Sequence, residues 1–476
     1  MSKEFFINRP NPEAAIDERG EQIPLIKIVG REIVILGGGE SGVSAALLAK
    51  KKGIASFLSD NGRIKPETKA LLRSEGIPYE DGGHILSNLN RACEVIKSPG
   101  IPDTAPVIVQ CEEQGLPIIS EIEFAARYLR PEQFIGITGS NGKTTTTTLV
   151  DMGLRAAGVH STACGNIGAS LARKVLDGDA DTFAMELSSF QLDRMYDTHL
   201  RIAMLLNLSP DHLDRYDHKY ENYALAKWRI FQNQGAGDYA ILNADDQYLC
   251  QLKREHSLTA EHILTFSCRD SRATAYFDGK TIHLPGGVTY DFSSFRLRGE
   301  HNAQNVMAAA LALHAYGIAP DHPEVVKAFS TFGGVRHRTQ ILGEWHGVTF
   351  VNDSKGTNLD ATAHALSAMP DGRTILFLGG TDKGNDYSEI YDLVKAKAKA
   401  LIFLTLDTDK LHKSFDNLQL PTSTAHSMAE AFQQIQALDL HEGDVVLLSP
   451  ACASFDLFNN YEDRGDQFVQ AFEQLH

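Results

Sequence analysis

The sequence predicts an α/β protein of three domains, and three observations support this fold class. The chain has 476 residues, which is too many for one hydrophobic core and fits about three domains of ordinary size. Short apolar segments alternate with helix-like segments over most of its length. Polar or glycine-rich loops follow those apolar segments, as they do at the carboxyl ends of parallel strands. We place the domains at residues 1–130, 131–335 and 336–476.

Composition and charge exclude several classes of protein. A formal net charge of −16 argues against a surface that follows nucleic-acid phosphates and against an anionic membrane face. The six cysteines form no Cys-x-x-Cys pair, which fits neither a disulfide framework nor a thiolate zinc site. Residues 8–20 lack the basic region and apolar core of a secretory signal, and no apolar run approaches a membrane span. We expect a cytoplasmic monomer that binds neither nucleic acid nor membrane.

The first domain is predicted to be Rossmann-like. A short apolar strand from Glu32 to Leu36 is followed by Gly37-Gly38-Gly39-Glu40-Ser41-Gly42, which opens a helix-like segment from Val43 to Lys52. This G-x-G-x-x-G spacing lets a backbone approach a phosphate, and Asp60 ends the next apolar segment, where an acid can bind a ribose. The rigid loop Lys97-Ser98-Pro99-Gly100-Ile101-Pro102 also follows a strand. The pattern alone makes NAD the default ligand, and a nucleotide carried by the substrate is the alternative.

The central domain is predicted to be of the P-loop ATPase type. An apolar strand from Phe134 to Ile137 is followed by Thr138-Gly139-Ser140-Asn141-Gly142-Lys143-Thr144-Thr145. Glycines let successive N–H groups face one anion, and a new helix adds its positive end. Lys143 is expected to reach the β- and γ-phosphates of ATP, and Thr144 to place its hydroxyl on Mg²⁺. The usual pattern begins with glycine, and Ile137 stands at that position here.

Other strands of the central domain also end in polar clusters. Glu186 follows an apolar strand that ends at Met185, where an acid can face Mg²⁺ beside a phosphate loop. His212 lies in the loop after the next strand and is a candidate metal ligand or proton carrier. Lys227 lies in a predicted helix from residue 220 to 232, and its spacing alone predicts a surface lysine.

Two asparagines mark the end of this domain. Asn302 precedes a predicted apolar helix from Val306 to Tyr316, and Asn305 lies three residues further along the same face. Capping explains only Asn302, so we expect the pair to contact a base or ribose.

The last domain again alternates strands with polar loops. We expect its loops to supply cations and hydroxyls at one edge of a sheet. The cations are Arg338, Lys355 and Lys383, and the hydroxyls are those of Thr357 and Ser454.

Together these clusters resemble the Mur ligases, the amino-acid ligases of peptidoglycan precursor synthesis. The stretches that carry the resemblance extend from the phosphate loop to near the end of the chain. They are Thr138 to Thr144, Gly165-Asn166-Ile167-Gly168, Glu186 to Leu192, Asp211 to Tyr216, His301-Asn302, His337-Arg338, Asn352-Asp353-Ser354-Lys355 and Ser449 to Ser454.

The resemblance implies ATP-dependent addition of D-glutamate to UDP-N-acetylmuramoyl-L-alanine (UDP-MurNAc-L-Ala) through an acyl phosphate. It implies that the first domain binds the UDP of the substrate, through Ser41, Asp60, Pro99 and Gly100, while Asn166 contacts the muramoyl end. ATP contacts are implied for Gly139, Asn141, Gly142, Lys143, Thr144, Thr145, Asn302, Asn305, Arg338 and Asp353. Two Mg²⁺ sites are implied for Thr144, Glu186, His212 and Lys227, the last as a lysine carbamylated by CO₂. Glutamate and the reacting phosphate are implied to contact Lys355, Thr357, Lys383, Ser454 and Tyr461, and the implied catalytic residues are Lys143, His212, Lys227 and Lys355.

Three alternatives stay open at this point. One is a different Mur-type ligase or a folylpolyglutamate synthase. The second is an NAD-dependent oxidoreductase that uses the first glycine turn. The third is a nucleotide-binding regulator without turnover.

Overall fold

The computed structural model describes residues 15–16, 22–23, 32–178, 180–382 and 384–475. It contains β-sheets of five, nine and six strands with helices between the strands, which confirms the predicted three-domain α/β fold class. The chain divides into two compact units, Met1–Tyr290 with Gln304–Val326, and Asp291–Ala303 with Lys327–His476. We call them the first and second units. The predicted boundaries after residues 130 and 335 stay predictions.

The five-stranded sheet of the first unit is parallel throughout. Its strands, in spatial order, are Tyr79–Asp81, Ser56–Asp60, Glu32–Leu36, Ala92–Lys97 and Ile118–Ile119. Its helices are Glu40–Lys51, Pro66–Ser74, Pro106–Glu113 and Glu121–Ala126. The central strand is apolar and buried on both faces because helices pack on both sides of a parallel sheet. The first helix begins at Glu40, three residues before the predicted start at Val43.

The nine-stranded sheet of the first unit carries the phosphate loop. Its strands, in spatial order, are Thr289–Asp291, Thr281–His283, Ala275–Phe277, His262–Ser267, Tyr239–Asn243, Ile202–Leu205, Phe134–Thr138, Thr182–Glu186 and Ser161–Gly165. The six strands from His262–Ser267 to Ser161–Gly165 are parallel to one another. Parallel strands end at one edge, so the loops after residues 138, 186 and 205 meet there.

The helices of this region are short, apart from the one that follows the phosphate loop. They are Lys143–Ala156, Leu171–Asp177, Ser189–Leu192, Tyr220–Trp228 and Gln247–Glu255. The predicted helix from 220 to 232 ends at Trp228 and continues as a 3₁₀ turn, Arg229–Phe231.

The predicted start of the long apolar helix at Val306 is wrong. The helix spans Glu300–Tyr316 and follows Gly299, which has a left-handed φ of 86°. Asn302 is therefore a residue of its first turn and not a cap, and its side chain donates to Arg298 O at 2.8 Å. The helix Pro323–Thr331 follows.

The second unit contains the six-stranded sheet. Its strands, in spatial order, are Gln340–Trp345, Val348–Asn352, Val445–Leu448, Thr374–Leu378, Ala398–Leu404 and Thr422–Ala425. The first pairs antiparallel and the others are parallel. Its helices are Leu359–Ser367, Tyr391–Lys397, Asp409–Phe415, Met428–Gln436 and Tyr461–Glu473. Phe350, Phe377 and Phe468 pack together beneath one face of this sheet. Among the described residues, no helix is both long and apolar enough to cross a membrane.

Candidate functional site

The phosphate loop is curled around its own lysine. Gly142 caps the helix Lys143–Ala156 with a left-handed φ of 79°, and a Cβ there would lie 2.3 Å from Asn305 Oδ1. The Nζ of Lys143 donates to the carbonyl oxygens of Gly139 and Ser140, at 2.8 Å each. Thr144 and Thr145 are buried in the first helical turn. The loop therefore presents a lysine and the N-terminal end of a helix at one place, which is the arrangement that binds phosphate.

The side chains of Asn207 and Tyr223, which the sequence did not single out, contact this loop. The Asn207 side chain accepts from Asn141 N at 2.8 Å and donates to Asn141 O at 3.1 Å. The Ser140 hydroxyl lies 3.0 Å from the Tyr223 hydroxyl and accepts from Ser209 N at 2.9 Å. Asn207 follows the strand next to the loop, and that position was the available signal for it.

Glu186 lies beside the phosphate loop with one oxygen unsatisfied. Its strand pairs in register with the strand before the loop, and Glu186 is the register partner of Ile137. The side chain is buried, and Oε1 accepts from Asn166 Nδ2 at 2.9 Å. Among the described residues Oε2 is buried without a hydrogen-bond partner. Buried carboxylate oxygens are normally paired or bound to a metal, so Oε2 is a candidate ligand for a cation.

Lys227 is fully buried, so the surface position that spacing predicted is wrong. Its Nζ lies 4.8 Å from the centre of the Tyr223 ring. Burial lowers the pKa of Lys227 well below its usual value, and nearby Lys143 lowers it further. Asp211 and Glu186 oppose this shift but do not cancel it. Burial therefore favours the neutral form of the amine, which is the nucleophilic form.

His212 is placed beside the Glu186 loop. Its backbone is left-handed, with a φ of 52°, and its ring packs edge-on against Phe190 at 5.1 Å between centroids. Phe190 belongs to the loop and short helix that follow Glu186. His212 Nε2 lies 3.6 Å from Asp211 Oδ2.

Asn305 also lies against the phosphate loop. Thr146 Oγ1 donates to Asn305 Oδ1 at 3.2 Å, in addition to the close approach to Gly142. The first unit thus brings together Gly139, Asn141, Gly142, Lys143, Thr144, Thr145, Glu186, His212, Lys227 and Asn305 around one sheet edge.

The first glycine turn is braced by Asp60. Asp60 Oδ2 accepts from Gly38 N, and Oδ1 accepts from Gly62 N at 2.6 Å. A Cβ at Gly42 would lie 2.0 Å from Gly37 O, so the helix packs closely on the turn only with glycine there. Both Asp60 oxygens thus bond to backbone amides of the turn and of the loop beside it.

A cavity of about 240 Å³ lies between this turn and the nine-stranded sheet region. It brings together the predicted residues Ser41, Pro99 and Asn166, whereas Asp60 and Gly100 are not part of its wall. The full wall is Glu40, Ser41, Lys97, Pro99, Ser120, Glu121, Gly165, Asn166, Gly168, Phe190 and Gln191.

Lys97 is a cavity residue that the sequence reasoning missed. Its Nζ is 2.9 Å from Asp103 Oδ1, and its side chain is buried. Burial lowers the pKa of Lys97, and the hydrogen bond that Lys97 donates to Asp103 opposes that shift. A cation at the carboxyl end of a strand was the signal that could have identified it.

The second unit gathers a separate group of predicted residues. Asp353 is buried, accepts from Ser449 Oγ at 2.7 Å and from Thr339 N at 2.9 Å, and its pKa is raised to about 6 by burial. Nearby Arg338 favours the charged carboxylate. Lys355 Nζ lies 5.5 Å from the centre of the Tyr461 ring.

The loops that carry these residues are fixed by a buried arginine. Arg464 donates to Ser354 Oγ at 3.0 Å, to Ser354 O at 2.8 Å and to Cys452 O at 3.2 Å. Thr357 N donates to Lys355 O at 2.9 Å. Ser454 is buried and lies two residues after Cys452 in the same loop. Lys383 lies outside the described residues. Asn302 belongs to this unit and not to the group around the phosphate loop.

Three family models match successive parts of the chain. They are the Mur ligase MurD-like N-terminal domain over residues 31–120, the Mur ligase middle domain over residues 137–313, and the Mur ligase glutamate ligase domain over residues 337–452.

Curated relatives match along nearly the whole length. The UDP-N-acetylmuramoylalanine--D-glutamate ligase of Bacteroides fragilis is 45% identical over 449 residues, covering 94% of this chain and 100% of that protein. The protein of the same name from Porphyromonas gingivalis is 47% identical over 443 residues, covering 92% of this chain and 97% of that protein.

Solved structures share the fold at lower identity. The UDP-N-acetylmuramate-alanine ligase MurC from Thermotoga maritima superposes with a TM-score of 0.60 at 19% identity, over 94% of this chain and 100% of that chain. The MurF ligase from Thermotoga maritima in complex with ADP has a TM-score of 0.57 at 14% identity, over 95% and 99% of the two chains.

Proposed function

The chain belongs to the Mur ligase family, and from this premise we propose that it joins D-glutamate to UDP-MurNAc-L-Ala at the expense of ATP. The observation that carries the proposal is a relative of that named activity, 45% identical along 94% of the chain. The phosphate loop folded around Lys143 supports it. The oxidoreductase alternative leaves this loop without a role, and the family match overrides it.

The first glycine turn is proposed to hold the UDP of the substrate and not NAD. The cavity beside it supports this assignment, because its wall continues from Ser41 and Pro99 to Asn166 and Phe190. A substrate that enters at the glycine turn therefore extends toward Asn166, whose side chain contacts Glu186. Asp60 is proposed to act on the UDP through the shape of the turn it braces, and Gly100 through its loop.

The phosphate loop is proposed to hold ATP. Backbone N–H groups of Gly139, Gly142, Thr144 and Thr145 would face the phosphates. Asn141 would contact ATP from the same loop, while its own N–H donates to Asn207. Lys143 already lies over the loop, and phosphate oxygens would replace the two carbonyls that its Nζ now contacts. An ionised carboxylate attacking the γ-phosphate meets strong repulsion, and clustered positive charge lowers that barrier.

Thr144, Glu186 and His212 would hold Mg²⁺ at two sites. Lys227 would join them as a carbamate. Oxygen donors suit this ion, and the unsatisfied Oε2 of Glu186 fits the assignment. Bound Mg²⁺ would neutralise phosphate charge. Asn166 fixes the other Glu186 oxygen, so the carboxylate cannot turn away from the loop.

Lys227 is proposed to react with CO₂. A neutral amine attacks the carbon of CO₂, loses one proton to solvent and becomes a carbamate with one negative charge. The lowered pKa of Lys227 supports this step, because burial favours the unprotonated amine. The product would be an anionic oxygen ligand where the unmodified chain has a buried amine.

The second unit is proposed to supply the incoming amino acid. Lys355, Thr357, Ser454, Tyr461 and Lys383 would receive D-glutamate and the reacting phosphate, while Asn302, Arg338 and Asp353 would contact the nucleotide. The amine attacks the acyl carbon of the acyl phosphate, and the tetrahedral intermediate collapses to the amide and phosphate. Holding the reactants in line contributes roughly 7–11 kcal/mol of barrier reduction.

The test is release of ADP by the purified protein in the presence of Mg²⁺. We expect release only when ATP, UDP-MurNAc-L-Ala and D-glutamate are all present, with L-glutamate inactive. Release that needs no glutamate, or that accepts another amino acid equally well, would overturn the proposed substrate. Lys143→Ala separates an enzyme from a regulator, because unchanged ADP release in that variant contradicts the proposed catalytic role. We also propose that the protein acts as a monomer in the cytoplasm.

A further inference from the structure

Two acidic side chains from the region of the five-stranded sheet hold the start of one helix of the nine-stranded region. The helix is Leu171–Asp177, and Ser170 caps it. Ser170 N donates to both oxygens of Glu40 at 3.2 Å, and Ser170 Oγ donates to Glu40 Oε1 at 2.9 Å. Ala172 N donates to Glu121 Oε1. The amides at this helix end are therefore satisfied by carboxylates that lie far away in sequence.

The loop before this helix is fixed at its other end by Glu186. Asn166 N donates to Glu186 O at 2.9 Å, and Asn166 Nδ2 donates to Glu186 Oε1 at 2.9 Å. Gly165 N donates to Ala169 O at 3.2 Å, which closes the loop on itself. A Cβ at Gly165 would lie 2.4 Å from Glu186 O, so only glycine fits. We call residues 165–168 the bridging loop.

The bridging loop and its supports share one cavity. Glu40, Glu121, Gly165, Asn166 and Gly168 all belong to its wall. Ser170 is buried, whereas Glu40 is exposed. Hydrogen bonds thus tie the first glycine turn to Ser170 and tie the bridging loop to Glu186 and Ala169, and the chain from Ala169 to Ser170 joins the two sets.

We propose that Glu40 and Glu121 are positioning residues that act through Ser170 and Ala172 on the bridging loop, so that Asn166 holds the acyl end of the sugar nucleotide near Glu186. The inference rests on the proposed function and adds residues to it. Glu40 stands at one of the non-glycine positions of the G-x-G-x-x-G turn, and its carboxyl group accepts from Ser170. The burial of Glu121 raises its pKa to about 8, which shows how strongly its surroundings shield it from water.

The physical argument concerns which part of the ligand depends on the bridging loop. UDP alone needs the glycine turn, which Asp60 braces separately. The full sugar nucleotide must also meet Asn166, whose position depends on both ends of the bridging loop. Loosening one end of the bridging loop should therefore weaken binding of the full substrate and leave binding of UDP unchanged.

The experiment measures binding of UDP and of UDP-MurNAc-L-Ala by calorimetry to the full chain. Ser170→Ala and Glu40→Gln each remove hydrogen bonds of this contact. We expect the dissociation constant of UDP-MurNAc-L-Ala to rise roughly five- to tenfold in each variant, with that of UDP within about twofold of wild type. The double variant should bind UDP-MurNAc-L-Ala no more weakly than the more affected single variant, because both changes break one contact.

Two matched variants control for lost stability. Glu123→Gln removes a buried carboxylate that accepts from Asp197 N and Thr198 N, away from the bridging loop. Ser427→Ala removes the cap of another helix, Met428–Gln436, in the second unit. Both are expected to lower the melting temperature without changing either dissociation constant.

Three outcomes would overturn the inference. The first is an equal loss of affinity for UDP and for UDP-MurNAc-L-Ala. The second is a double variant whose loss of affinity is the product of the two single losses. The third is the same loss of affinity in the control variants. Failure of the proposed function is distinguishable, because the wild-type protein would then not bind UDP-MurNAc-L-Ala more tightly than UDP.

Discussion

The ring centre of Tyr223 lies 4.8 Å from Lys227 Nζ, while the hydroxyl of the same tyrosine lies 3.0 Å from Ser140 Oγ in the phosphate loop. One aromatic side chain therefore contacts both the buried lysine and the loop proposed to hold ATP. Tyr223 is itself fully buried, so it cannot move without disturbing both. This relationship places Lys227 beside the phosphate loop by contact, independently of any sequence motif.

Replacement of Lys227 should abolish ligation. Lys227→Ala removes the amine that we propose reacts with CO₂, and Lys227→Arg introduces a guanidinium that stays charged and forms no carbamate. Both variants are expected to lose roughly 100-fold or more in the rate of ADP release. Lys219→Ala is the control, because Lys219 is exposed at the cap of the same helix and should leave the rate unchanged. Carbon NMR with labelled CO₂ should detect a carbamate in wild type and in Lys219→Ala; its absence from both contradicts the carbamate proposal.

The position of Lys227 illustrates what the sequence could not predict. Its helix is short and has buried residues on most sides, so apolar spacing gives no clear outer face. The charged groups near Lys227, among them Lys143, Asp211 and Glu186, come from other segments and meet it only in the folded chain. Asn207 was missed for the same reason, because its contact with Asn141 joins segments distant in sequence.

Strands were predicted well where an apolar run ends in glycine or polar residues. Glu32–Leu36 has the bounds that the sequence predicted, and the strand predicted from Phe134 to Ile137 ends one residue later, at Thr138. The start of Glu300–Tyr316 was misplaced because its first turn is polar, and periodicity only marks the apolar part. The edge of the sheet where site residues gather was predictable from alternation alone, because parallel strands all end on one side.

Asn207→Ala should weaken ATP binding as well as the fold. The variant loses two hydrogen bonds to the phosphate loop, worth about 1 kcal/mol of unfolding free energy each. Asn233→Ala is matched, since Asn233 donates to Tyr196 O and Thr198 O at 2.6 and 3.0 Å away from the loop. We expect similar losses of stability in urea, but a roughly tenfold weaker affinity for ATP only in Asn207→Ala. Equal ATP affinity in the two variants would show that Asn207 does not shape the loop.

The stability of the first unit should fall as pH rises through the titration of Glu121. Burial raises the pKa of this carboxyl from its ordinary value of 4.5 to about 8, Glu40 adds to the rise, and Ala172 N opposes it. A folded-state pKa above the unfolded one means that the favourable contribution is complete below about pH 4.5 and is lost by about pH 8. The slope in this window is at most about 1.4 kcal/mol per pH unit.

Glu121→Gln tests this pH dependence directly. Glutamine keeps an oxygen for Ala172 N and cannot ionise, so the variant should lose less stability than wild type between pH 6 and pH 9. Urea unfolding at the two pH values measures the difference. Glu123→Gln serves as the comparison and should keep the wild-type slope; if Glu121→Gln keeps it as well, the carboxyl does not titrate in this range.

Gly142→Ala should weaken ATP binding, because two independent requirements for glycine coincide there. The φ of 79° strains any residue with a Cβ, and that Cβ would lie 2.3 Å from Asn305 Oδ1. Gly158 follows the same helix with a φ of 84°, and a Cβ at that position would meet no atom within 4 Å, so Gly158→Ala isolates backbone strain. We expect Gly158→Ala to lose about 1 kcal/mol of unfolding free energy and to bind ATP normally. Gly142→Ala should lose more stability and bind ATP at least roughly tenfold more weakly, because Asn305 must move away from the loop. If calorimetry gave the two variants the same ATP affinity, the close packing of Asn305 on the phosphate loop would have no part in binding the nucleotide.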